Sequence, residues 1–251
     1  MSSQNTIVRG VPLEGGDCRR LLEIVEVVER LGAPEVALEV WHHGVDVTAA
    51  DNFTSPNWQL TAEFRWRYRH TESHRAFIVS PVELAEALRN IGYCTRIIFR
   101  KDGVHFVNTG KIVEVRGRTF NLKGQDRINI LKLLDRPIVL FYPDPALIAR
   151  LNGGRINVRL IHDEINPQAY ITNAMGDIVP TNYDILTMFE HDYEYHYDGN
   201  ILDTTLTIKP VRDFIILELM GSLESPMLRI GWRGQSPARP TDIDFRFAPI
   251  V

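Results

Sequence analysis

Apolar residues at spacings of three and four, Leu21, Leu22, Val25, Val28 and Leu31, follow Asp17 and precede Gly32. That spacing predicts one amphipathic helix of about four turns, with Asp17 as its N-cap and Gly32 as its stop. Val36 to Trp41 and Val45 to Ala49 then flank His42-His43-Gly44, where glycine supplies the positive φ of a tight hairpin turn. The order recurs. Arg75 to Val79 alternates as a strand, Pro81 to Ile91 reads as a helix, and Arg96 to Arg100 pairs with Val104 to Asn108 around Lys101-Asp102-Gly103. A third copy runs from the strand Pro137 to Phe141, through a helix Pro145 to Leu151 stopped by Gly153-Gly154, to the strands Ile156 to Ile161 and Gln168 to Thr172. The fourth has Tyr193 to Tyr197, a short helical stretch Asn200 to Lys209, then Phe214 to Met220 and Met227 to Trp232.

Four β-α-β-β units are thus laid end to end, each of roughly 60 residues with a single helix, a pattern unlike a helical solenoid. Two units side by side make one domain with helices on one face of antiparallel sheets, so the expected fold class is α+β with two similar domains. The periodicity lapses between Lys123 and Pro137. The boundaries that follow are a first domain over 1–123, a connector over 124–136 and a second domain over 137–251.

Composition fits a globular chain: 251 residues, 44% hydrophobic and 24% charged. No apolar run approaches a membrane span and the start is polar, so the expected setting is inside a cell. Cys18 and Cys94 lack metal-ligand spacing and are expected as buried thiols. Residues 1–135 carry 18 Lys+Arg and 17 Asp+Glu, and residues 136–251 carry 10 and 15. A net charge of −4 disfavours strong sequence-general grip on nucleic acid by the free monomer, because each phosphate contact needs a cation.

Several short motifs in matching order resemble the sliding clamps of the proliferating cell nuclear antigen family over nearly the whole chain. They are Gly44-Val45-Asp46-Val47-Thr48-Ala49-Ala50-Asp51, Gln59-Leu60-Thr61, Lys101-Asp102-Gly103-Val104-His105-Phe106 and Phe247-Ala248-Pro249, with Arg19-Arg20-Leu21-Leu22 in the first helix. The resemblance implies a non-enzymatic ring of three subunits that encircles duplex DNA and tethers polymerases, ligases and nucleases, placed there by a clamp loader. It implies no cofactor and no metal. Departures are the mild charge, the short connector, and Pro237 and Pro240 before the last strand.

By the same resemblance, Arg19, Arg20, Arg89, Arg150 and Lys209 are the DNA-facing cations on the helices. Glu23, Glu26 and Glu29 share the polar side of the first helix and offset part of that charge. The groove that receives a partner's peptide is implied at Ala50, Thr54, Leu131, Leu133, Pro226, Phe247, Ala248 and Pro249. Subunits are expected to join through strand edges at Val113 to Leu122 and around Tyr183 to Met188, in a homotrimer or, for a specialised or checkpoint-type clamp, a heterotrimer. A reading from another class is a metal-dependent hydrolase built on Asp192, Glu194, His196 and Asp198, which alternate along one strand. The more ordinary reading of that strand is a solvated face with Tyr193, Tyr195 and Tyr197 packed inward. His42-His43, neighbours in a turn, are poorly placed to chelate one ion.

Overall fold

The computed structural model describes residues 11–12, 15–41, 44–52, 57–65, 75–94, 96–100, 103–120, 136–144, 154–208, 216–233 and 241–250. In the first half the elements are β1 (Val11–Pro12), α1 (Gly15–Arg30), β2 (Val36–Trp41), β3 (Gly44–Ala50), β4 (Trp58–Arg65), β5 (Arg75–Val79), α2 (Pro81–Ile91), β6 (Arg96–Phe99), β7 (Gly103–Asn108) and β8 (Lys111–Phe120). The second half has β9 (Pro137–Pro143), β10 (Arg155–Ile161), β11 (Gln168–Thr172), β12 (Ile178–Val179), β13 (Thr181–Ile185), β14 (Tyr193–Asp198), α3 (Gly199–Thr205), β15 (Ile216–Met220), β16 (Met227–Arg233) and β17 (Thr241–Phe247). The fold is α+β, as the periodicity predicts. The helix expected over Pro145 to Leu151 and the turn His42-His43 lie outside the described residues, as does most of the connector.

Every pairing in the two sheets is antiparallel. The larger runs β1-β6-β7-β8-β5-β2-β3-β4-β17-β16-β15-β9-β13 and the smaller β12-β11-β10-β14. The larger sheet crosses from one half to the other through β4 and β17, in register from Phe64 opposite Thr241 to Trp58 opposite Phe247. Trp58 stacks on Phe245 across that seam at 5.8 Å between ring centroids. Burial of such rings is the main gain there, because aromatic side chains remove large apolar areas from water.

Helix α1 starts at Gly15, so Asp17 sits in its first turn rather than at its N-cap, where its charge still favours the helix dipole. Gly32, at φ 72°, ends it with the bonds Gly32 N–H to Glu29 and Ala33 N–H to Val28, a left-handed cap. Its buried stripe is wider than the spacing predicts. Ile24 and Val27 are fully buried beside Val25 and Val28, whereas Leu22 and Leu31 are only partly so. The reason is that α1 packs on α2 as well as over β4, and also touches α3. Helix α2 opens on Ser80, whose Oγ accepts the Glu83 N–H. Helix α3 is shorter than the expected Asn200 to Lys209. Asp198 caps its start, and Thr204 and Thr205 turn their hydroxyls back to the carbonyls of Asn200 and Ile201, competing with further helix.

Cys18 and Cys94 are both buried and free, as expected, and the two thiols meet each other although 76 positions separate them in sequence. Cys94 also donates to the Arg96 carbonyl at 3.0 Å. Among the described residues no helix is long and apolar enough to cross a membrane.

Candidate nucleic-acid interface and partner groove

The polar side of α1 brings together the arginines singled out in the sequence, but each reaches a carboxylate. Arg19, with its side chain 82% exposed, lies 3.4 Å from Glu23, and Arg20 bonds the same carboxylate at 2.6 Å. Arg89 spans from α2 to α1, meeting Glu26 at 3.0 Å and Glu29 at 3.3 Å. The hydrogen bond that Arg89 donates to Glu26 is the first cause that pushes the Arg89 pKa above its ordinary value. Arg30 donates to the Glu26 carbonyl and, at 2.7 Å, to Thr207 just beyond α3, which ties the helices of the two halves together. Arg150 and Lys209 lie outside the described residues.

The residues implied for the groove do not share one face. Ala50 stands opposite Gln59, which stands opposite Arg246, and all three face away from the main core. Phe247 points the other way. It is fully buried, edge-on to Tyr197 at 5.6 Å and tilted against Phe245 at 5.7 Å, so it supports the C-terminal segment from beneath. Ala50 and Pro226 are buried, and Ala248 and Pro249 are half-buried. Thr54, Leu131 and Leu133 lie outside the described residues.

Two sets of hydrogen bonds brace the segments that carry Ala248 and Pro226, and neither was singled out in the sequence. Asp51 accepts the backbone N–H groups of Asn52, Asn57 and Trp58 and the Asn57 amide. Asn57 so held offers its carbonyl to Ala248 N–H at 2.7 Å. Ile250 N–H donates to the His196 carbonyl on β14, also at 2.7 Å, so the segment 248–250 bridges the two sheets. On the other side, Tyr195 and Tyr197 donate to the carbonyls of Leu223 and Pro226, fixing the 221–226 turn. Burial raises the pKa of both tyrosines. The signal for Asp51 was its place at the end of the Gly44 hairpin motif.

An ionic chain continues the Gln59 row along the sheet. Glu218 meets Arg229 at 2.9 Å, Arg229 Nε lies 3.1 Å from Asp244, and Asp244 holds Arg246 at 2.8 Å. Burial opposes the charge on Arg229, and Asp244 and Glu218 overcome it, so its pKa lies above the ordinary value. Beside Ala50 the surface is therefore more polar than an all-apolar groove.

The strand at Glu194 has the solvated face expected of it. Tyr195 and Tyr197 are buried, Glu194 pairs with Arg159 at 2.9 Å and His196 Nδ1 contacts Asn157 at 2.7 Å. Asp192 accepts from His162 N–H and Asp198 caps α3. Each of the four side chains proposed as ligands is thus engaged with a neighbour. Among the described residues no three His, Cys, Asp or Glu side chains are placed to hold a metal ion.

Strand β8 divides its pairing. Residues 111–116 pair with β7 and residues 117–120 with β5, so each stretch has one partner strand among the described residues. Strand β13 pairs with β9 alone and ends the larger sheet. Ile112, Leu186 and Met188 are exposed in or beside these strands.

No family model matches the chain. No curated protein matches it either. Among solved structures it is similar to the proliferating cellular nuclear antigen of Entamoeba histolytica, with a TM-score of 0.61 at 12% identity, over 93% of this chain and 96% of that one. At that identity the likeness establishes a clamp-like fold.

Proposed function

We propose that the chain is a subunit of a DNA sliding clamp, a trimeric ring that encircles duplex DNA and tethers replication and repair enzymes without chemistry of its own. The observation that carries this reading is the seam between the halves. β17 closes the second half and pairs with β4 of the first. β8 closes the first half, and β13 stands in the second where β4 stands in the first. The pairing made once inside the chain therefore has a counterpart to be made between chains, head to tail, between β13, which ends the larger sheet, and the stretch of β8 over 111–116, which has β7 alone as its partner among the described residues.

Charge supports the pairing. Residues 111–120 carry Lys111, Arg116 and Arg118 against Glu114, whereas residues 175–192 carry Asp177, Asp184, Glu190 and Asp192 and neither Lys nor Arg. In the ring the helix face of Arg19, Arg20 and Arg89, with Arg150 and Lys209, turns to the duplex. The surface around Ala50, Pro226, Ala248 and Pro249, completed by Thr54, Leu131 and Leu133 and braced by Phe247, receives the peptide of a polymerase or other partner. A clamp loader is implied by any closed ring.

Light scattering of the purified chain at roughly tens of micromolar tests the assembly. The expected mass is three times the 28.7 kDa chain, and Leu186→Glu with Met188→Glu is expected to return it to monomer. A wild-type monomer overturns the homotrimer. Trimerisation only on addition of a related chain moves the reading to a specialised heterotrimeric clamp.

A further inference from the structure

Among the described residues the helix face holds cations but no cationic surplus. Helix α1 has Asp17, Glu23, Glu26 and Glu29 against Arg19, Arg20 and Arg30. Helix α2 has Glu83 and Glu86 against Arg89, and α3 has Asp203 alone. Each of the three carries one more carboxylate than cation. The placement matters as much as the sum, since Glu23 serves both Arg19 and Arg20, and Glu26 and Glu29 converge on Arg89 from another helix.

A phosphate gains from an arginine by releasing counterions condensed on the nucleic acid. Here the arginine's counter-charge is a carboxylate fixed on α1, which cannot diffuse away. A phosphate arriving at Arg89 would be repelled by two glutamates while it is drawn to one guanidinium. Exposed pairs of this kind contribute little to stability, so their main consequence is the local field rather than the fold.

We infer that Glu23, Glu26 and Glu29 mask the arginines of this face, so that a duplex beside it is retained by enclosure and not by phosphate contacts. This rests on the clamp reading and deepens it. The prediction is a gain of function. Glu23→Gln, Glu26→Gln and Glu29→Gln together leave Arg19, Arg20 and Arg89 to meet phosphate.

The test is fluorescence anisotropy of a short labelled linear duplex across a salt series, with the wild type, the triple variant and a control carrying Asp163→Asn, Glu164→Gln and Glu224→Gln at exposed positions. The control changes net charge equally. Wild type and control are expected to bind weakly, with log affinity nearly flat against log salt. The triple variant is expected to bind at least about tenfold more tightly at low salt, with a slope near −3, about 0.9 per phosphate met. Should the triple variant not fold, Glu26→Gln alone still unmasks part of Arg89, with a slope near −1. A steep wild-type slope overturns the masking and leaves the clamp reading intact. Equal gains in variant and control reduce the effect to bulk charge and also overturn it. No gain in either, in a protein that trimerises, shows that this face does not meet DNA and overturns the inference with the orientation assigned to the helices.

Discussion

The two halves are built from the same order of strands and helices, yet they finish differently. The last strand of the second half, β17, finds a partner in β4 of the first half, and the larger sheet runs on without a break. The last strand of the first half, β8, lies between β7 and β5 in the larger sheet and splits its bonds between them, so that each of its two stretches has one partner strand among the described residues. The second half also splits its third strand, with β12 joining the smaller sheet and β13 the larger. Among the described residues the repeat thus supplies one pairing between the halves, at β17, and one strand, β8, that pairs only within its own half. The lesson is that repetition alone does not make the halves equivalent, since the same order of elements ends in a pairing across the halves at β17 and in a divided pairing within one half at β8.

The severest way to break that comparison is at the closed junction. Phe245→Ala removes a fully buried ring that touches Trp58 of the first half and Phe247 of its own strand. The expected cost is about 3–5 kcal/mol, and calorimetry is expected to show a single transition lowered by roughly 10 °C for a chain of this size. Two separated transitions, with only one moved, would mean that the seam does not couple the halves.

Asp51→Ala acts on the same seam from its end. It removes the acceptor of three backbone N–H groups, at an expected cost of about 1–3 kcal/mol. Because Asn57 loses its anchor, hydrogen exchange at the Ala248 amide is expected to quicken while the amides of β6 and β7 stay protected. Equal quickening everywhere would make the effect global rather than a release of the C-terminal segment.

The smallest effect sharpens the chemical contrast between the halves. Tyr195 and Tyr197 are neutral, buried and donate to the 221–226 turn, and their pKa values are raised in the folded state. A raised folded pKa contributes stability that is whole below the unfolded value, about 10 for tyrosine, and is lost as pH climbs above it towards the folded value. The protein is therefore expected to lose stability above about pH 10. Tyr197→Phe, at a cost of about 1 kcal/mol near neutrality, is expected to shallow that loss. An unchanged alkaline profile would show that the tyrosines do not govern it.

Local order was legible because local chemistry wrote it. Gly32 capped α1 where it stood, β6 paired with β7, and Tyr195 and Tyr197 turned inward as their alternation required. What a linear pattern could not contain were meetings between distant positions. Periodicity placed Glu23, Glu26 and Glu29 on one side of a helix, but that Arg89 would reach two of them depends on how α2 crosses α1. Phe247, marked for a binding surface by the company of Ala248 and Pro249, proved to be core because the strand register against Trp58 sets its direction. Cys18 met Cys94 for the same reason, through the packing of elements rather than their spelling.

The seam has a consequence in time. β4 is made early, but its partner β17 lies some 180 positions later, Phe64 facing Thr241. At synthesis rates of about 5–20 residues per second, the nascent chain carries an uncapped β4 for roughly 10–40 s. During that interval β4 has β3 alone beside it, and a chain halted before residue 241 would stay so. A ribosome that finishes the last strand is thus what gives β4 its second neighbour.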